Sequence, residues 1–277
     1  GAYVPQANGS YKIINNDGSD DTTGYFVDSL SNPLYEGSFV TSFNGVPLYI
    51  TYNGGDGNDV VLNVNPIVNG TSGDDTLTVV PQASGGIQFT LNSNPAVTLS
   101  GPLGSFTFNG NGGDDLMVVN LNNNGLPAGG LFYNGNAQAA SDVLKVVDNG
   151  THTATYKGDG TVSGALDNDG AVTVTGLGTI SFTQLEPVDL QSFATVNVQF
   201  ANANDVVNLT NGFDASTGLA AALVQPLEVH PRLAQDAVDH RAEADVGFVL
   251  QADHVERGLG GLGADGEGSR RQQALRL

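Results

Sequence analysis

The chain has 277 residues, a formal net charge of −20, no cysteine and no tryptophan. Its length suffices for one large all-β domain or two smaller ones. Up to position 214, twenty acidic residues face only Lys12, Lys145 and Lys157 and no arginine, which gives −17. That composition excludes nucleic acid as a partner, which needs clustered Lys and Arg, and disfavours anionic membranes.

Residues 9–64 alternate apolar and polar side chains as strands do, and no window has a helical period. The dipeptide Asn44-Gly45 is the strongest two-residue hairpin signal. The pattern breaks at Asn65-Pro66, so we assign residues 1–64 to a first β unit. The strands expected in it are residues 10–15, 24–27, 37–43, 46–52 and 60–64.

Residues 65–214 form the second expected unit, built from short strands rich in valine, threonine and phenylalanine. Glycine, asparagine, aspartate and proline link these strands. The expected strands are residues 76–80, 86–91, 96–99, 105–109, 116–121, 130–133, 143–147, 151–156, 171–175, 179–183, 195–200 and 206–209. Alternation predicts that six apolar side chains point into the core: Leu77, Val79, Met117, Val119, Leu144 and Val146.

The composition changes abruptly near Phe213, and residues 215–277 lack the earlier turn-and-strand pattern. Asparagine is absent after Asn211, whereas all six arginines follow it. Two interpretations stay open: a genuine linker or helical cap with helices near residues 233–244 and 249–257, or a frame-shifted or misassembled end. Both predict a poorly ordered or partly helical tail.

One turn recurs along the chain: Gly, Asn and Asp residues end in an aspartate that runs directly into an apolar strand. The clearest copies are residues 54–62, 70–78 and 110–118, and weaker ones are residues 139–146 and 202–209. A turn–strand unit repeated without helices is typical of β-solenoids. The expected fold is therefore all-β, a right-handed parallel β-helix.

The copy at residues 54–62 fits the nonapeptide G-G-x-G-x-D-x-U-x of calcium-binding RTX repeats at every fixed position. The next two copies replace the second glycine by Thr71 and Asn111. Glycines let backbone carbonyls turn inward, and carboxylates supply the charge that Ca²⁺ needs. The candidate calcium ligands are Asp56, Asp59, Asp74, Asp75, Asp114 and Asp115.

The spacing of the copies argues against a tandem calcium roll. The aspartates Asp59, Asp75, Asp115, Asp142 and Asp205 are separated by 16, 40, 27 and 63 residues, whereas RTX turns stack every nine. Only 27 and 63 are multiples of nine, and those spacings lead to copies that have lost their glycines. Two interpretations stay open. Either a solvated aspartate simply begins each strand, or at least one turn binds Ca²⁺.

A catalytic site finds little support in the sequence. A uronate lyase needs a basic proton acceptor, and up to position 214 the chain offers three lysines and His152, which we expect on the solvated face of a strand. A hydrolase needs two positioned carboxylates, and those present lie in turns. The aromatic residues alternate at strand spacing, which is more typical of a core than of a carbohydrate platform. No residue is therefore assigned a catalytic role.

Two stretches resemble known families. Residues 9–64 resemble the repeat-ending segment of large bacterial surface proteins with autotransporter-like β-strand repeats. Residues 110–190 resemble modules of giant secreted proteins from planctomycetes and similar bacteria. The resemblance implies a parallel β-helix, a secreted or cell-surface location and the use of calcium.

We therefore expect a structural or adhesive segment of a large extracellular bacterial protein, cut from a longer chain. Its expected partners are calcium ions and cell-surface or matrix carbohydrate or protein, and no segment is apolar enough to span a membrane. The alternative is a fragment of a β-helix carbohydrate-active enzyme, a polysaccharide lyase or hydrolase, that lacks its active-site segment. A cleft lined by clustered charged and aromatic side chains would favour the enzyme.

Overall fold

The structure is a computed structural model that describes residues 3–18, 20–122, 124–137, 141–158, 169–185 and 188–199. It also describes the backbone of four later strands, Val206–Phe213, Ala220–Leu227, Phe248–Ala252 and Gln273–Arg276. Every regular element in these residues is a strand, so the expected all-β class is confirmed. The strands form three sheets of mixed orientation, and none of the sheets closes on itself.

The N-terminal sheet has four antiparallel strands in the order β1-β4-β3-β2. The predicted hairpin at Asn44-Gly45 joins β2 to β3, and both turn residues have positive φ, as a type I′ turn requires. The strand expected at residues 24–27 is absent, because this exposed stretch makes only an isolated bridge between Val27 and Pro33. The four strands are β1 (Ser10–Ile14), β2 (Phe39–Phe43), β3 (Val46–Gly54) and β4 (Asp59–Asn63).

The other two sheets share the rest of the described chain. Their strands are β5 (Ile67–Asn69), β6 (Thr76–Pro81), β7 (Ile87–Leu91), β8 (Val97–Leu99), β9 (Phe106–Gly112), β10 (Leu116–Asn120), β11 (Leu131–Ala137), β12 (Val143–Val147), β13 (Thr153–Gly158), β14 (Gly170–Val174), β15 (Gly178–Thr183), β16 (Val188–Gln191), β17 (Thr195–Gln199), β18 (Val206–Phe213), β19 (Ala220–Leu227), β20 (Phe248–Ala252) and β21 (Gln273–Arg276). The seven-stranded sheet has the order β17-β13-β14-β15-β11-β9-β5, and the ten-stranded sheet has the order β18-β19-β21-β20-β16-β12-β10-β6-β7-β8. Every strand expected between residues 76 and 209 is present, β12 with the expected ends and the others with one or both ends shifted, whereas β5 and β16 were not expected.

Each of these two sheets contains a ladder of four parallel strands. The ladder of the seven-stranded sheet is β5-β9-β11-β15, and that of the ten-stranded sheet is β6-β10-β12-β16. The chain alternates between the ladders, so that each strand of the first is followed by one of the second. We call each such pair a layer, and the four layers are β5/β6, β9/β10, β11/β12 and β15/β16.

The core lies between the two ladders, as the alternation predicted. All six apolar side chains expected to point inward are fully buried: Leu77, Val79, Met117, Val119, Leu144 and Val146. They are also in register, since Leu77 pairs with Met117, which pairs with Leu144. The facing ladder contributes aromatic residues such as Phe108 and Tyr133 to the same cluster. Burial of apolar surface between the ladders is thus the main stabilising term.

Three strands, β19 to β21, fall within residues 215–277, and β20 pairs in parallel with β16. The expected helix over residues 249–257 is therefore wrong for its first four residues, because Phe248 and Leu250 follow the apolar alternation of the preceding ladder. The other expected helix, residues 233–244, lies outside the described residues. In the part of the chain that is described, the structure has no helix long and apolar enough to cross a membrane.

Candidate functional site

The recurring aspartates form a buried column at the start of the ten-stranded ladder. Asp75, Asp115 and Asp142 immediately precede β6, β10 and β12 and are 2%, 1% and 0% exposed. The backbone N–H of Asp75 donates to Asp115 Oδ1 at 2.7 Å, and that of Asp115 donates to Asp142 Oδ1 at 2.7 Å. The carboxylates of Asp115 and Asp142 thus each accept from the backbone of the preceding layer. The interpretation that a solvated aspartate begins each strand is wrong for these three strands, because all three aspartates are buried.

This column also shows what the irregular spacing means. Asp75 and Asp115 are 40 residues apart, and Asp115 and Asp142 are 27 apart, yet they stand in successive layers. The layers differ in loop length rather than in register, because β6, β10 and β12 pair without any shift. The absence of a nine-residue period therefore excludes an RTX-type roll without excluding stacked turns.

Glycine is required where the backbone passes close to a buried aspartate, because a side chain there would collide with the carboxylate. A Cβ added at Gly110 would collide with Asp115 Oδ2, and one at Gly135 would collide with Asp142 Oδ2. The same arrangement recurs at Gly55 beside Asp59. The glycine of the repeated turn thus makes room for a buried carboxylate of the same turn.

Asp115 is the column member with an unused oxygen. Its buried Oδ2 has no hydrogen-bond partner, and neither has the buried hydroxyl of Tyr133. Burial, together with the charges of Asp142, Asp75 and Asp74, raises the pKa of Asp115 to about 7, although the hydrogen bond from the Asp75 N–H acts in the opposite direction. Burial, then the charges of Asp142, Asp115 and Asp75, also raises the Tyr133 pKa. Three stacked carboxylates therefore disfavour ionisation of the central one.

Asp75 is satisfied from its own turn as well. Its Oδ2 accepts from the Thr71 N–H at 2.6 Å and the Thr71 hydroxyl at 3.0 Å. Its Oδ1 accepts from Asn92 Nδ2 at 2.5 Å. Thr71, which replaces the second glycine of the RTX pattern, thus occupies the carboxylate that a cation would need.

The first copy of the turn, in the N-terminal sheet, carries a different counter-ion. Asp59 is fully buried, forms an ion pair with the Lys12 ammonium and accepts from the Asn16 N–H at 2.8 Å. The hydrogen bond from Lys12 lowers the Asp59 pKa. Asp56 lies on the exposed rim of this turn. In the turn that best matches the calcium motif, the aspartate of the motif, Asp59, is therefore already paired with Lys12.

The remaining two candidate ligands form a second, outer column. The Asp114 N–H donates to Asp74 Oδ1 at 2.9 Å, and the Ser141 N–H donates to Asp114 Oδ1 at 3.0 Å. The six candidate calcium ligands thus lie as two stacked pairs, Asp74 with Asp114 and Asp75 with Asp115, and a separate turn that holds Asp56 and Asp59. Across the described residues, no group of three or more Asp, Glu or His side chains is arranged to hold a metal ion.

A chain of side-chain hydrogen bonds runs along the opposite ladder. Thr183 donates to Asn134 Oδ1 at 3.0 Å, Asn134 donates to Asn109 Oδ1 at 2.7 Å, and Asn109 donates to Asn69 Oδ1 at 2.6 Å. The four residues occupy one register position of β15, β11, β9 and β5. All donors point the same way, towards the N-terminal sheet.

This asparagine ladder ends on a buried carboxylate. Asn69 Nδ2 donates to the Thr51 hydroxyl at 2.9 Å, and that hydroxyl donates to Glu36. Glu36 also accepts from the N–H groups of Tyr52 at 2.7 Å and Asn69 at 3.0 Å. Burial raises its pKa to about 7, although these hydrogen bonds act in the opposite direction. Glu36 therefore joins the N-terminal sheet to the first layer.

Sequence reasoning missed both the ladder and Glu36. The ladder does leave a signal, since an apolar residue and Asn-Gly recur at Asn69, Asn109 and Asn134. These dipeptides lie within β9 and β11 and at the end of β5, whereas Asn44-Gly45 forms a hairpin turn, so the same dipeptide has two structural uses. Glu36 has no local signal because its partners lie 15 to 33 residues away.

His152 does not lie on a strand, so the expectation that it occupies the solvated face of a strand is wrong. It precedes β13, and its Nδ1 lies 2.7 Å from Asp148 Oδ1. Asp148 also accepts from the N–H groups of Gly150, Thr151 and His152. The aspartate thus organises a tight loop. The Thr151 hydroxyl and the Asp148 carboxylate both contact His152 Nδ1, so they share one ring nitrogen instead of lying on opposite sides of the imidazole as a nucleophile–base–carboxylate triad requires.

A cleft of about 1160 Å³, which we call the junction cleft, lies where the N-terminal sheet meets the first layers. Its described charged residues are all carboxylates, namely Asp21, Glu36 and Asp56, and its aromatic residues are Tyr25 and Tyr52. Most other lining groups are amides, hydroxyls and glycine backbone. Among the described lining residues there is no lysine, arginine or histidine.

No protein-family model matches the chain, and no curated protein or solved structure shows significant similarity to it.

Proposed function

We propose that the chain is a non-catalytic structural and adhesive segment of a large secreted or cell-surface bacterial protein. In this proposal the four layers are turns of a right-handed parallel β-helix, the fold expected from the repeated turns. The supporting observation is how the repeated residues are used: the carboxylates of Asp115 and Asp142 and the side-chain amides of Asn109 and Asn134 each pair with a neighbouring layer.

The buried aspartate column and the asparagine ladder favour a structural role for a physical reason. A ladder whose side chains pair with the adjacent layer stabilises stacking and leaves little for a ligand. Hydrogen bonds between layers occur on both ladders that enclose the core, at the Asp115 position of one and the Asn109 position of the other. Stacked short strands with such columns suit an elongated module that joins others of its kind.

Calcium enters the proposal as a stabilising counter-ion of the acidic turns. Its support is the charge of −20 and the paired outer carboxylates Asp74 and Asp114, which stand in successive layers. Asp59 is a poorer candidate because Lys12 already neutralises it. A cation bound only by the folded chain would stabilise it in proportion to the logarithm of its concentration.

The enzyme alternative rests on the junction cleft. Glu36 has the raised pKa of a general acid, but it is only 6% exposed and three donors already occupy its carboxylate. The described lining residues include no lysine, arginine or histidine, and so no cation to hold the carboxylate of a uronate substrate for a lyase. The cleft therefore favours binding over turnover.

Two measurements test the proposal. Incubation of the purified chain with neutral and uronate polysaccharides should release no reducing ends or unsaturated products above a heat-inactivated control. Antibodies against the chain should label intact, unpermeabilised cells of the producing organism. Turnover that Glu36→Gln abolishes, or labelling only after permeabilisation, would contradict the proposal.

A further inference from the structure

The junction cleft has walls from both units of the chain. The N-terminal unit contributes Tyr25 from the loop before β2, Asn53 from β3 and Asp56 from the β3–β4 turn, and the second unit contributes Asn94 from the β7–β8 turn and Asn111 from β9. Asn53 crosses the boundary, since its Nδ2 lies 3.2 Å from the Gly70 carbonyl oxygen, to which it donates. The cleft therefore exists only while the N-terminal sheet is docked on the stack.

The walls are held in place before any ligand arrives. Asn111 Nδ2 donates to the Gly70 carbonyl at 2.9 Å, which fixes one amide of the wall. The Tyr25 ring packs edge-on against Tyr35 and Tyr52, with centroids 5.0 and 5.4 Å away. Fixed side chains lose little conformational entropy on binding, so a preorganised cleft binds more tightly than a flexible one.

The chemistry of the lining selects the ligand. Most small-molecule pockets are lined mainly by apolar side chains, whereas this one is lined mainly by groups that donate and accept hydrogen bonds. A matching ligand must therefore carry many hydroxyls. The carboxylates Asp21 and Asp56 are exposed and have no basic neighbour in the described lining, so they repel anionic ligands and accept hydrogen bonds from hydroxyls.

Tyr25 adds the apolar part of such a site. Its side chain is 48% exposed although two other tyrosines hold it in place. An exposed, rigid ring beside amides and carboxylates suits a ligand with one apolar face and a polar rim. A pyranose ring has this character, because its C–H groups form a face and its hydroxyls lie around the edge.

We propose that the junction cleft binds a neutral oligosaccharide, with Tyr25 against a sugar face and the Asn53, Asn94 and Asp56 side chains on its hydroxyls. The volume of about 1160 Å³ accommodates several sugar units. This inference rests on the proposed adhesive function and names its ligand class.

The test is calorimetric titration of the full chain with neutral cello-, xylo-, manno- and malto-hexaose. Oligogalacturonate and calcium chloride alone serve as comparison ligands. We expect at least one neutral hexaose to bind with a Kd below about 1 mM. Tyr25→Ala and Asn94→Ala should each weaken binding about tenfold or more, and Tyr25→Phe should keep it. Tyr3→Ala, an exposed aromatic outside the cleft, is the matched control.

The inference is wrong if no neutral hexaose binds or if only oligogalacturonate binds. It is also wrong if calcium chloride, and no sugar, occupies the cleft, or if Tyr25→Ala and Tyr3→Ala change sugar binding equally. Mass spectrometry of the titrated sugar separates this proposal from the preceding one. If the sugar binds and is cleaved, the non-catalytic function is wrong but the junction cleft does bind a sugar. If no sugar binds, the proposed sugar site is wrong and the structural function is unaffected.

Discussion

At the residue scale, several carboxylates in the described residues are buried away from solvent, and most of them have no cationic partner. In the buried column, Asp115 and Asp142 are compensated by backbone N–H groups of the preceding layer, and Asp75 by Thr71 and Asn92, rather than by lysine or arginine. A buried charge without a strong partner is costly, and Asp115 carries most of that cost because its Oδ2 is unpartnered. This position therefore controls how stability responds to pH.

We expect Asp115→Asn to stabilise the chain at pH 8. The folded-state pKa of Asp115 is raised from 3.8 to about 7, so the folded state holds the proton more tightly than the unfolded state. The stabilisation that this carboxyl contributes is present below about pH 4 and is lost as pH rises towards 7. The asparagine keeps the Oδ1 acceptor for the Asp75 N–H and removes the buried charge.

The expected gain at pH 8 is about 1–3 kcal/mol of unfolding free energy, with little change at pH 4. Urea unfolding at pH 4, 6 and 8 measures it, with Asp74→Asn in the outer column as the control. An equal effect of Asp115→Asn at all three pH values would show that its charge is not the cause.

Gly110 gives a steric prediction at the same scale. Gly110→Ala should lower the unfolding free energy by about 1–3 kcal/mol, because the new methyl group collides with Asp115 Oδ2 in a site that is already packed. Gly73→Ala in the preceding turn is the matched control, since its methyl group would have no atom closer than 3.9 Å. Equal denaturation midpoints for the two variants would refute the close approach at Gly110.

At the element scale, stability comes from side chains that occupy the same register position in successive strands. Leu144 is fully buried between Met117 and Val188 in the ten-stranded ladder. Leu144→Ala should cost about 2–5 kcal/mol through lost burial and the cavity left behind. Val143→Ala, one residue earlier and on the other face, should cost less, because the Val143 side chain is only partly buried. Comparable losses in urea unfolding would contradict the inward alternation.

Strands and inward side chains could be predicted from the sequence because both follow from a local period of two. The short strands β5 and β16 could not, since β5 directly follows the Asn65-Pro66 break and β16 contains the buried Asp189. The positions of candidate site residues were predictable from the turns, but their partners were not. Lys12 lies 47 residues before Asp59, and nothing local to either residue indicates the ion pair.

At the scale of the whole molecule, the charge of −20 opposes compaction, and protonation or cation binding relieves it. Ca²⁺ should raise Tm more than Mg²⁺ does, because Mg²⁺ sheds its water reluctantly. At a hundred times Kd the gain is about 2.7 kcal/mol.

Asp74→Asn should reduce the calcium effect if the outer column is the site. Asp59→Ala is unsuitable for this test, because it would break the Lys12 ion pair whether or not calcium binds. Thermal unfolding at matched ionic strength is the measurement. Equal Tm shifts from calcium chloride and sodium chloride would indicate diffuse screening and contradict a calcium site.

The central claim is that the repeated turns stack as successive layers in parallel register, and the absence of native cysteine allows a direct test. Val118 pairs with Lys145 across β10 and β12, whereas Val143 lies two residues out of register with Val118. A disulfide requires Cα atoms within about 7 Å. Under mild oxidation, the V118C/K145C chain should form an intramolecular cross-link, identified by peptide mass spectrometry, and V118C/V143C should form little. Equal or stronger cross-linking of the V118C/V143C pair would contradict the layered register.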